Sequence, residues 1–145
     1  MEYFSIDFDF LSEDIYDGFV ADFIRVLEEY GLSFKCGDRD GAGKTLSELT
    51  DILQKQLQEQ AEFSDKYYQL IFSFEGFSDL RAYFPVDYRG VRFSIIIPEE
   101  DFADKYATGL PSDNARKNRK AMNKLKALAV HIWEKTNVRC IQTAW

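Results

Sequence analysis

YQLIFSFEGFSDLRAYFPVDYRGVRFSIII, residues 68–97, is the stretch on which the fold turns. Tyr68, Leu70, Phe72 and Phe74 recur at every second position, as do Leu80, Ala82 and Phe84, and then Val91, Phe93, Ile95 and Ile97. A period of two sends alternate side chains to one face of a strand, so each run predicts a strand with a core-facing side. Glu75-Gly76 and Asp87-Tyr88-Arg89-Gly90 supply the turns, and connections this short join antiparallel neighbours. Pro85 predicts that the second strand ends there or lies at a sheet edge.

Upstream, Phe4, Ile6, Phe8 and Phe10 alternate with Ser5, Asp7 and Asp9, which predicts a first strand with its aspartates turned outward. Ser12 is placed to cap a helix over residues 13–30, with Glu13 and Asp14 in its first turn and Gly31 as its stop. Ile15, Tyr16, Phe19, Val20, Phe23, Val26, Leu27 and Tyr30 fall on one face of that helix. Residues 32–36 predict a short strand and 37–44 a loop. Thr45-Leu46-Ser47-Glu48 has the form of a capping box and opens a helix to about Gln60, with Leu46, Leu49, Ile52 or Leu53, and Leu57 as its core stripe.

Downstream, residues 98–109 predict a brief helix. A long helix follows over residues 113–136, burying Met122, Leu125, Leu128, Ala129, Ile132 and Trp133, and a final strand spans 138–145. The order β-α-β-α-β-β-β-α-β, without steady βα alternation, predicts one α+β domain over residues 1–145. Its mainly antiparallel sheet of five to six strands would carry two long amphipathic helices.

The length of 145 residues suits one domain, and 13 Phe with 8 Tyr promise a core that needs no disulfide or metal staple. No apolar run approaches the roughly 18 residues of a membrane span, and the acidic start Met1-Glu2 is unlike a signal peptide. Cys36 and Cys140, each inside an apolar stretch, are expected as reduced core residues, with the cytoplasm as the default compartment.

Gly37-Asp38-Arg39-Asp40-Gly41-Ala42-Gly43-Lys44-Thr45 resembles a phosphate-binding P-loop between a strand and a helix. Its spacing is one residue too long, and Asp38 and Asp40 would repel a polyphosphate, so the expectation is a plain loop and no nucleotide cofactor. His131 is the only histidine, so a Ser-His-Asp triad or a paired-histidine metal site has little to rest on. Its helical-wheel position predicts a solvated residue. No metal ligand set and no catalytic residue emerges.

Charge is sorted along the chain. Residues 1–31 hold nine acids and one base, whereas residues 112–139 hold eight bases and two acids, within a net charge of −7. The first reading is a non-enzymatic binding protein whose acidic face (Asp7, Asp9, Asp14, Asp17, Asp22, Glu28 and Glu29) docks a basic, nucleic-acid-handling protein. In size, charge and composition the chain is similar to the small acidic immunity proteins that neutralise bacterial toxins and to phage-encoded inhibitors. One alternative is nucleic-acid binding by a basic stripe of Arg116, Lys117, Lys120 and Lys124, which the acidity of the whole chain disfavours. The others are an enzyme working through carboxylates, an ordinary solvated surface, and mutual attraction between the two charged helices.

Overall fold

A computed structural model describes residues 3–59, 66–85, 90–98 and 111–144, with the side chains of Ser78 and of residues 111–118 left undescribed. Strand β1 (Tyr3–Phe10) leads to helix α1 (Phe19–Glu29), strand β2 (Ser33–Arg39), helix α2 (Leu46–Glu59) and strands β3 (Tyr68–Phe74), β4 (Phe77–Tyr83) and β5 (Val91–Pro98). Helix α3 (Pro111–Lys135) and strand β6 (Cys140–Ala144) follow. The strands form one sheet in the order β2-β3-β4-β5-β1-β6, and every neighbouring pair is antiparallel. The expected α+β fold and its 68–97 meander are both present.

Register decides which residues face the helices. Phe4, Ile6, Phe8 and Phe10 of β1 stand opposite Ile97, Ile95, Phe93 and Val91 of β5, and all eight are buried. Together with Leu70, Phe72, Leu80 and Ala82 they join residues from all three helices in one apolar cluster. Phe23 lies at its centre, its ring 4.5 Å from Phe93 and 5.6 Å from Phe10. Burying an aromatic ring of this size contributes roughly 2–3 kcal/mol.

The α2 capping box forms as expected. The Glu48 amide donates to Thr45 Oγ1 at 3.1 Å, and the Thr45 amide donates to Glu48 Oε1 at 3.2 Å. These bonds hold the Glu48 carboxyl below the usual glutamate range, the backbone bond from Thr45 contributing most. Leu49 and Leu53 are fully buried beneath this helix.

Four sequence expectations are corrected. The first helix does not begin at residue 13: Ser12–Asp14 form a short 3-10 turn, and Gly18, at φ 90°, breaks the chain before α1 starts. That left-handed φ suits glycine and little else. The first turn of α1 is satisfied from α2 instead, where Gln54 Oε1 accepts from the Val20 amide at 2.8 Å and Gln54 Nε2 donates to Tyr16 O at 2.9 Å. Tyr16, expected in the core, therefore lies outside the helix and is 48% exposed.

Second, β2 continues through Gly37 to Arg39, because pairing with β3 extends to Tyr68. The turn behind it needs glycine at 37, where a Cβ would lie 2.1 Å from Gly41 O. Third, Cys36 and Cys140 are exposed. Each lies on an edge strand, opposite Ile71 and Asp9 respectively, whose side chains alternate away from the helices. Fourth, α3 buries Leu125, Leu128 and Ile132 but leaves Trp133 52% exposed, because Trp133 falls at the margin of the helix's apolar arc. The helix expected over 98–109 lies outside the described residues except for Pro98, which ends β5, and the turn expected at 87–90 lies outside them except for Gly90.

Candidate functional site

Helices α1 and α3 pack side by side on the sheet, and the seam between them gathers most of the chemistry of the helical layer. His131 marks its middle. Its Nε2 lies 3.1 Å from Val26 O, and its ring stacks on Tyr30 at 4.7 Å. It is therefore half-buried against α1, a correction to the solvated position expected from the wheel, because α3 has a neighbour on its flank as well as the sheet beneath it.

At one end of the seam, the segment before α1 meets the end of α3. Asp14, Tyr16, Asp22 and Glu134, with Lys135 beside them, line a cleft of about 240 Å³ floored by Phe19, Phe23 and Val26. The Tyr16 hydroxyl donates to Asp22 Oδ2 at 2.6 Å, and that hydrogen bond, with lesser help from desolvation and the carboxylate charge, raises the Tyr16 pKa. Asp22 also pairs with Arg25, one turn along the helix. Asp14 and Glu134 line the cleft and have no side-chain partner among the described residues.

The remaining acids separate. Asp7 and Asp9 lie on the opposite face of the sheet from α1. There Arg92 Nε and Nη2 donate to the two oxygens of Asp9 at 2.7 and 3.1 Å, and Ser94 Oγ donates to Asp7 at 2.7 Å. Arg92 also lies 3.7 Å from Asp7. These carboxylates are 14–20% exposed and committed to the sheet, so they share no surface with the helical acids. Asp17 precedes α1 and accepts a hydrogen bond from Gln58 of α2. Glu28 and Glu29 are exposed at the far end of α1. No ion pair joins Asp22, Glu28 or Glu29 to α3 among the described residues, although Lys135 of α3 lines the same cleft as Asp14 and Asp22.

At the other end of the seam, a groove of about 620 Å³ is lined by Tyr30, Phe74, Glu75, Arg119, Lys120, Asn123, Lys124 and Ala127. Lys124 is held to the β3–β4 turn, 3.4 Å from Glu75 Oε1 and donating to Glu75 O at 3.3 Å. Arg119 and Lys120 are exposed and have no partner among the described residues. The side chains of Arg116 and Lys117, also expected in the basic stripe, lie outside the described ones.

The P-loop-like segment resolves into the end of β2 and a short turn. Asp38 is bound to Arg81 across the outer sheet face, and that contact, aided by the Arg39 backbone amide, lowers its pKa. Among the described residues no group of three His, Cys, Asp or Glu side chains is placed to hold a metal ion, and no helix is long and apolar enough to cross a membrane.

Sequence reading missed Tyr16, Glu134, Arg119, Tyr30, Phe74 and Asn123 as members of a site. For Tyr16 a signal existed: Gly18, inside an otherwise regular helical pattern, is a breaker. The others are brought together only by tertiary packing, of α1 on α3 and, for Phe74, of both helices against the end of β3. Comparison of the chain with protein-family models, curated proteins and solved structures finds no match to any of them.

Proposed function

We propose that the chain is a non-enzymatic binding protein, an acidic inhibitor or immunity protein of the kind bacteria and phages use, acting in the cytoplasm by occluding a basic, nucleic-acid-handling protein. The observation that carries this reading is the convergence of Asp14, Asp22 and Glu134 around the exposed ring of Tyr16. The cleft of about 240 Å³ is smaller than the roughly 300–1,000 Å³ of typical small-molecule sites and suits a single side chain. A lysine or arginine head group there would gain charge-assisted hydrogen bonds from the carboxylates and a cation–π contact with Tyr16. Exposed tyrosines are common anchors at protein interfaces, and the carboxylates beside Tyr16 give a field that steers a basic surface toward it.

The competing reading, a nucleic-acid surface along α3, has less support. Of the four residues expected in it, Lys124 is tied to Glu75, and the net charge of −7 repels an extended polyanion. The test uses the triple variant Asp14→Asn, Asp22→Asn, Glu134→Gln. Partners captured from extracts of the native host by the wild-type protein are identified, and their association rates with both proteins are followed by stopped flow. A basic partner should associate several-fold more slowly with the variant at low salt and with nearly equal rates at high salt, where screening shortens the field. Equal rates at low salt would contradict the proposal.

A further inference from the structure

The groove at the opposite end of the seam carries a second site, which shares no residue with the acidic cleft and stands or falls independently of it. We propose that it binds a nucleotide-sized ligand, a phosphate group carried on a planar aromatic ring. Size points to a small molecule: about 620 Å³ lies within the roughly 300–1,000 Å³ typical of such sites and is more than one side chain needs. Charge points to an anion. Arg119 and Lys120 are adjacent, exposed and without a partner among the described residues, and an arginine fork beside an ammonium matches the oxygens of a phosphate.

The floor points to a ring. Tyr30 and Phe74 lie with ring centroids 6.1 Å apart, both only half-buried, although neighbouring aromatics of the core are sealed. Each is backed by a further ring, Tyr30 by His131 at 4.7 Å and Phe74 by Phe77 at 6.0 Å, so the floor is preorganised for stacking. Lys124 is engaged with Glu75 and so ties α3 to the β3–β4 turn at the groove's edge. The Asn123 amide adds one donor and one acceptor, the pair needed at a base edge. A groove of about 620 Å³ has room for one nucleotide rather than for a longer strand.

The experiment is calorimetric titration of the full chain with adenosine monophosphate, beside inorganic phosphate, adenosine and a short oligothymidylate, at low salt. Adenosine monophosphate should bind saturably below millimolar concentration, with phosphate and adenosine each weaker by about tenfold or more, because each keeps only half of the contacts. The double variant Arg119→Ala, Lys120→Ala should weaken the nucleotide by about tenfold or more through lost charge-assisted bonds, with its melting temperature unchanged. Phe74→Leu, which keeps the apolar volume, should weaken it several-fold, and Lys44→Ala in the glycine-rich turn should leave it unaltered. The proposal is overturned by an absence of saturable binding or by equal affinity for phosphate and nucleotide. Full binding by the double variant, loss of binding in Lys44→Ala, or far tighter binding of the oligothymidylate would overturn it as well.

Discussion

The two ends of the α1–α3 seam are built from the same pair of helices and differ in almost everything else. At the acidic end, Asp14, Tyr16, Asp22 and Glu134 close around a space of one side chain's size. At the basic end, Arg119 and Lys120 stand over a wider aromatic floor. The acids near the start of α1 have a local reason to be there, since a helix N-terminus favours negative charge. Arg119 and Lys120 lie beyond the first turn of α3, where the dipole has faded, and they pair with nothing described. Charge that its own helix explains is weaker testimony to function than charge that it does not. The acidic end therefore rests its case on the exposed Tyr16 and on Glu134, which arrives from another helix.

The comparison breaks if the shared support is removed. Phe23 packs against Phe10, Phe19, Phe84 and Phe93 beneath the seam, and Phe23→Ala should cost about 3–5 kcal/mol. Urea denaturation reads the loss, and ligand binding at both ends should fail together. A smaller effect separates the seam from the sheet behind it. Arg92→Ala leaves Asp7 and Asp9 without their main cation on the outer sheet face and should cost about 2 kcal/mol, less than a fully buried pair because these side chains keep some water. Neither end of the seam should change its ligand preference.

Thr45→Ala, remote from both ends, should cost about 1 kcal/mol at neutral pH through loss of the capping box. The Glu48 carboxyl titrates below its usual range in the folded chain, so its stabilising contribution is present above the unfolded pKa and lost as pH falls through the folded one. The cost of Thr45→Ala should therefore shrink below about pH 4, and the Glu48 midpoint, read by NMR, should rise in the variant. The smallest effect sharpens the acidic end alone. Asp22→Asn should bring the raised Tyr16 pKa down toward the ordinary tyrosine value, as followed by ultraviolet titration. In the wild type the contribution of this bond is complete below the unfolded tyrosine pKa and fades as pH rises through the folded one, so the substitution should matter least in strong alkali.

The fold was legible because alternation along β1, β3, β4 and β5 is a local signal, as is the Thr45–Glu48 box. Elements went astray where a distant contact decides. Gln54 satisfies the start of α1 from another helix, allowing Gly18 to end the preceding turn. His131 and Trp133 exchanged expected environments because α1 covers one flank of α3 while Trp133 falls beyond the buried arc. The site was legible only as charge. Asp14, Asp22, Lys120 and Lys124 were found by counting, but counting joined Asp7 and Asp9 to a surface from which the sheet separates them. Glu134, Tyr30 and Phe74 lie far apart in sequence from the partners that make them useful, whereas Tyr16 lies near Asp14 and Asp22 and was misplaced because the helix was started too early.

The most direct test of the acidic cleft is a heteronuclear NMR titration of the chain with a blocked tri-arginine peptide at low salt, repeated on the variant Asp14→Asn, Asp22→Asn, Glu134→Gln. The account predicts shifts concentrated in residues 14–22 and 134–137 of the wild type and nearly abolished in the variant, with Tyr16 among the most affected. Shifts spread evenly over Glu48, Asp51 and the other exposed acids, or a response in the variant equal to that of the wild type, would contradict it.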